Sequence, residues 1–302
     1  MPFANQIHVD QLLSNVSVKY RNTNLIAMSV FPEVPVKKDS DLFRVYDRDF
    51  RLPETRKANK AAANQWFFEV STSTYVLEDH ALKDFVSEDD QDNYDLADLR
   101  ADTVEELSDK ILLRLEKSVA DLFTTTNWSL NVSLAAAADW AAQNTTTSDP
   151  VAVFDTGATT IIRNSGISPN FAIMPRNAFV GAKNHISVLD RVKYTSGKVT
   201  KEILAGLIDV QELLTPNAAY DSSPKGGTAS IGSIWGDICF MGYKPDRAGP
   251  KAPSSGYIFR KNVPMVRRWQ DEEVNAEAIE VRMKYQARVV ASLTGFLIKD
   301  VG

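Results

Sequence analysis

Apolar side chains recur at steps of three to five between residues 93 and 125: Leu96, Leu99, Val104, Leu107, Ile111, Leu115, Val119 and Leu122. This spacing traces one stripe along an α-helix. The acidic run EDDQDNYD stands just before it, where negative charge suits the positive end of a helix. Thr103 and Glu106 match a capping box, so the helix is expected to break near Asp102 and restart. At 1.5 Å per residue it would be roughly 40–50 Å long. A helix this long with one apolar face requires a sheet beneath it.

The other end of the chain supplies that sheet. Ile279, Val281, Met283, Tyr285 and Val289 alternate with Glu280, Arg282, Lys284 and Arg288, the period of a long half-buried strand. LTGFLIKD reads as its continuation.

Residues 1–38 read as extended, with Pro32 and Pro35 fixing φ in FPEVPV. Their apolar content (Leu12, Leu13, Val16, Val18, Leu25, Ile26, Val30, Phe31) exceeds that of a disordered tail. An arm lying on a neighbouring copy is expected, with a frayed terminus as the alternative. Residues 41–77 read as a long hairpin, with DLFRVYDRDFRL outgoing and QWFFEVSTSTYVL returning. In the returning strand Trp66, Phe68, Val70, Thr72, Thr74 and Val76 share one face. The connection PETRKANKAAAN is too long for a tight turn and reads as a mobile tip. An isolated hairpin is marginal in water, so this one should rest on the body or on another copy. Arg44, Arg48, Arg51, Arg56, Lys57 and Lys60 gather on it, while the acidic run lies elsewhere. Such a separation suits an acidic partner surface, another copy of the chain included. A solvated hairpin face is the alternative.

Residues 148–257 alternate helix and strand. A helix capped by Ser148, with Pro150 in its first turn, runs to about Asn164. NFAIMP reads as a buried strand, residues 177–183 and VTKEILAGL as helices, and VQELLT and DICFMGY as strands. Loops are expected around Pro224, Gly226 and Gly227 and along RAGPKAPSSG. The whole reads as an α+β chain with a compact α/β lobe.

The search for chemistry finds little. His8, His80 and His185 are the three histidines, and they lack zinc-site spacing. They read as surface or loop residues. Cys239 is the one cysteine, so no intrachain disulfide or thiolate cluster can form. Its apolar strand context makes it a small hydrophobe. The glycine-spaced stretch from Gly227 to Ser233 lacks the lysine of a phosphate loop. The cluster Glu88, Asp89, Asp90, Asp92 and Asp95 lacks the glycine and final glutamate of an EF-hand. No catalytic, cofactor or metal residue is expected. The net charge of −5 argues against a dedicated nucleic-acid binder, although not against a container that faces packed DNA. No apolar run suggests a membrane span, and no secretory signal is visible.

The order of these elements resembles the major capsid proteins of tailed phages, the Hong Kong 97 fold, across nearly the whole chain. IHVDQLLSNVSVKYRNTNLIA leading into FPEVPVKKDSDLFRVYD looks like the arm and the start of the extended loop. DLADLRADTVEELSDKILLRLEKSVADLF looks like the spine helix. SPNFAIMPRNAFVGAKNHISVLDRVKY looks like the strand–helix passage of the axial domain. The resemblance implies an N-terminal arm (1–38), an extended loop (39–78), a peripheral domain (79–147), an axial domain (148–257) and return strands of the peripheral domain (258–302). It implies a non-enzymatic subunit assembling through pentamers and hexamers into an icosahedral head around double-stranded DNA. Scaffold, portal and decoration proteins are the partners it suggests. Arg44, Arg48, Arg51, Arg56, Lys57, Lys60, Trp66 and Phe68 become candidate intersubunit contacts. An encapsulin-like compartment shell is the near alternative, and a metal-dependent hydrolase the distant one.

Overall fold

The stripe folds as one unbroken helix. In the computed structural model, which describes residues 8–9, 25–45, 52–59, 62–65, 71–87, 89, 91, 98–134, 140, 149–193, 198–224, 227–249 and 252–301, the helices are α1 (Ala27–Val30), α2 (Leu99–Ala120), α3 (Pro150–Ser165), α4 (Arg176–Asn184), α5 (Ile186–Val192) and α6 (Lys201–Leu207). The spine, α2, has 22 residues, about 33 Å at the usual rise. It starts at Asp98, whose side chain accepts from Arg100 N at 3.1 Å. The expected break at Asp102 does not occur. Thr103 Oγ1 donates to Leu99 O at 2.7 Å, inside the helix, so its hydroxyl serves the preceding turn and caps nothing. The stripe meets its partner as expected: Val104, Leu107, Ile111, Leu115 and Val119 are buried against a sheet.

That sheet runs β1 (His8–Val9), β12 (Gly256–Asp271), β13 (Ala276–Val289), β5 (Glu78–Ser87), with β2 (Glu33–Pro35) parallel to β12 along the same edge as β1. Ile279, Val281, Met283 and Tyr285 of β13 are buried in one core with the α2 stripe. The β12–β13 register slips between Lys261 and Met265, around Pro264, which cannot donate to a ladder. Strand β5 carried no alternation in the sequence: of its ten residues only Val86 is buried. Its extended form comes from pairing with β13, from Ser87 opposite Ala276 to Glu78 opposite Tyr285.

A second sheet runs β6 (Asn131–Ser133), β14 (Gly295–Lys299), β11 (Ile238–Gly242), β7 (Phe171–Ile173), β8 (Glu212–Leu214). LTGFLIKD therefore does not prolong β13. It turns through Ser292–Thr294 and enters this other sheet beside β11. Gly295 permits the approach, since a Cβ there would lie 2.4 Å from the Phe240 ring and 2.5 Å from Trp128. Helices α3, α4 and α6 pack on this sheet around Phe154, Ile161, Phe179 and Leu204. Asp149, not Ser148, caps α3, accepting from Val151 N at 3.0 Å. Ser148 lies outside the described residues. A two-stranded ribbon, β9 (Ala219–Asp221) with β10 (Ile231–Ser233), occupies part of the expected glycine loop.

The N-terminal segment departs most from expectation. Residues His8–Val9 pair with Arg268 and Arg267 of the chain's own β12. Residues 27–30 are a helical turn instead of extended backbone.

Candidate assembly surface

The hairpin joins β3 (Ser40–Val45) to β4 (Ser71–Val76), antiparallel from Ser40 opposite Val76 to Val45 opposite Ser71. Period-two alternation gives it two unlike faces. Phe43 and Tyr75 point inward, with ring centroids 5.2 Å and 4.6 Å from Phe259 of β12. Leu42, Thr72, Thr74 and Val76 point outward, and Leu42 and Val76 are 62% and 54% exposed. Thus the face identified by alternation in the returning strand is, over 71–76, the uncovered one. Tyr75, which the alternation skipped, makes the packing contact.

The base of the hairpin is clamped to the sheet. Leu77 N donates to Asp39 O at 2.8 Å, and Val76 N donates to Gln286 Oε1 at 2.8 Å. The Asp39 carboxylate lies 2.9 Å from Lys261 Nζ and 3.8 Å from Lys284 Nζ. Asp79 pairs with Arg282 beside it. The hydrogen bond from Lys261 holds Asp39 below the usual carboxylate range, and that from Arg282 does the same for Asp79. Beyond the base, the connection is exposed at Arg56 and Lys57. Glu54 orders it: Arg56 N donates to Glu54 Oε1 at 2.8 Å, and Asn64 Nδ2 donates to Glu54 O at 2.6 Å.

The first turns of the spine expose Asp102, Glu105 and Glu106, while Lys110 and Arg114 are exposed further along it; the stripe faces the sheet.

Inside the body, Glu116 of α2 is fully buried. Its carboxylate accepts from Ile26 N at 3.0 Å, Ala27 N at 2.7 Å and Trp235 Nε1 at 2.6 Å. Burial pushes its pKa up, and the three donors pull it back. No sequence signal marked it: an acidic residue beside a lysine on a helix reads as solvated.

Comparison with known proteins settles the relationship. The major capsid protein of Burkholderia phage BcepMu is 27% identical over 304 residues, covering 97% of this chain and 96% of the relative. The crystal structure of a phage-related protein from Bordetella bronchiseptica RB50 superposes with a TM-score of 0.81 at 25% identity, over 97% of each chain. The chain is similar along nearly its whole length to a phage major capsid protein. The capsid protein of cyanophage P-SCSP1u shares the fold, with a TM-score of 0.63 at 10% identity, over 99% of this chain and 92% of that one. No protein-family profile matches the chain.

In this chain the candidate contacts divide into two groups. Arg44, Arg56 and Lys57 are exposed on the hairpin. Arg48, Arg51, Lys60, Trp66 and Phe68 lie outside the described residues, or their side chains do. Two of the histidines, His80 and His185, are not simple surface groups. His185 is buried and caps α5, with Nδ1 2.8 Å from Ser187 Oγ. His80 is half-buried, its ring centroid 4.2 Å from that of Tyr285. Cys239 is buried on β11, and burial pushes its thiol well above the usual range. Among the described residues no group of three or more His, Cys, Asp or Glu is placed to hold a metal ion, and no helix is long and apolar enough to cross a membrane.

Proposed function

We propose that this chain is the structural major capsid subunit of a phage head, with the Hong Kong 97 architecture of arm, extended loop, spine helix and axial lobe. The observation that carries the reading is the end-to-end relationship to the BcepMu protein, 97% of one chain against 96% of the other. A relationship confined to one lobe would support only a shared module. The work of such a subunit is self-association, without catalysis: many modest contacts, closed by symmetry, sum to a stable shell. Assembly goes through pentamers and hexamers in the host cytoplasm, around double-stranded DNA, with scaffold, portal and decoration proteins as further partners.

The hairpin is the proposed intersubunit element. Its outward face is uncovered at Leu42 and Val76, and its connection exposes Arg56 and Lys57. The acidic first turns of α2, with Asp102, Glu105 and Glu106, supply a surface of opposite charge on a neighbouring copy. On this reading Arg44, Arg48, Arg51, Lys60, Trp66 and Phe68 join the contact.

Electron microscopy of the purified protein tests the proposal. Closed shells, tubes or capsomers are the expected particles. A strictly monomeric species at high concentration, with and without co-expressed scaffold, would overturn it. Shells that retain a co-purified protein cargo and no DNA would favour the encapsulin-like alternative.

A further inference from the structure

Glu116 has no ion-pair partner among the described residues, although its side chain is fully buried. A buried carboxylate persists only where donors replace water. Here the donors come from two segments far apart in sequence: the start of α1, and Trp235 in the turn between β10 and β11. α1 has four residues and no side-chain cap of its own, too little to hold as an isolated helix. Glu116 satisfies two of its orphan N–H groups from outside. The remaining oxygen, Oε1, receives the indole N–H.

We propose that Glu116 is a shared latch. It holds Ile26 and Ala27 at the start of α1, and it couples that turn to the seat of Trp235, so the two are released together. The reason is the shared acceptor. When the indole leaves, the carboxylate is short of a donor in a site closed to solvent, and its remaining bonds to α1 are biased toward opening. When α1 leaves, the indole holds a carboxylate that draws water in. The β10–β11 turn leads directly into β11, the central strand of the second sheet, so a movement there reaches α1 through one side chain. This inference does not depend on the capsid reading.

Hydrogen exchange of the purified protein, read by mass spectrometry at residues 25–31 and 230–238, tests it with Trp235→Phe, Glu116→Gln and the double variant. Trp235→Phe keeps an aromatic ring against Phe123 and removes only the N–H donor. Losing a hydrogen bond to a charged group corresponds to roughly tenfold to hundredfold easier opening. Trp235→Phe should therefore speed exchange at residues 25–31 by about tenfold or more, in a segment the substitution does not touch. Glu116→Gln, which turns an amide donor toward existing donors, should speed both segments. The double variant should be no faster than Glu116→Gln alone. Faster exchange confined to 230–238 in Trp235→Phe, or multiplied effects in the double variant, would overturn the latch. If Glu116→Gln does not fold, Trp235→Phe alone decides.

Discussion

Phe31 stacks on Phe123 with ring centroids 5.6 Å apart, so the segment after α1 closes over the C-terminal end of the spine. Both rings are buried. Phe31→Ala removes a fully buried ring and should cost about 3–5 kcal/mol. Thermal melting of the variant checks this; a melting temperature equal to that of the parent would show that the stack is not a structural lock.

Gly256 lies under the same ring. A Cβ there would stand 2.5–2.6 Å from three Phe31 ring atoms. Gly256→Ala should destabilise by about 1–3 kcal/mol through overpacking. Phe31→Leu shortens the opposing side chain, so the pair Gly256→Ala/Phe31→Leu should melt higher than the sum of the single losses predicts. Simple additivity in denaturant titration would count against the contact.

Ile111 sits on the stripe at 3% exposure. Ile111→Asp should prevent folding, because an unpaired carboxylate replaces an alkyl group between helix and sheet. Ile111→Val should cost only about 0.5–1.5 kcal/mol. Soluble, assembling Ile111→Asp protein would refute the placement of the spine.

The hairpin tip tests the assembly proposal. Deleting residues 54–63 should leave a folded subunit, since the described residues of this stretch are exposed, and should impair shell formation. Arg56→Glu with Lys57→Glu should do the same, with a smaller effect at high salt where charge attraction is screened. Normal shells from the deletion would mean that the tip is not an assembly element.

Acid sensitivity should trace partly to His185. Burial pushes its pKa below the usual value of 6.5, with the charge of Asp149 pulling the other way. A depressed folded pKa means that the unfolded chain binds the proton first. The stability it contributes is present above about 6.5 and is lost as pH falls through the folded pKa. His80 is shifted the same way by burial. His185→Asn keeps a helix-capping acceptor without the titration. Its stability should fall less between about pH 7.5 and 5 than that of the parent; an unchanged slope would remove His185 from the account.

Periodicity made the spine and β13 legible, because each element buries one continuous face: Ile111 and Leu115 at helical spacing, Ile279 and Val281 at strand spacing. The short segments NFAIMP, DICFMGY and VTKEILAGL, read without a periodic face, contain β7, β11 and α6. Periodicity failed where a partner, and not a local pattern, decides the conformation. Strand β5 alternates nothing and is extended because β13 pairs with it. Residues 27–30 look extended, yet Glu116 caps them into a turn from 89 positions away. Of the candidate surface, the basic character of the hairpin was readable. The inward role of Tyr75 was not, since the strand's alternation fits either face until Phe259 takes one.

The position of β14 has a consequence for synthesis. Residues 295–299 sit between β6 and β11, and β6 is paired to nothing else among the described strands. On the ribosome, the second sheet stays divided until those residues emerge, long after the spine has been made. A nascent or truncated chain without these residues therefore lacks the strand that joins β6 to β11, and its second sheet stays unfinished.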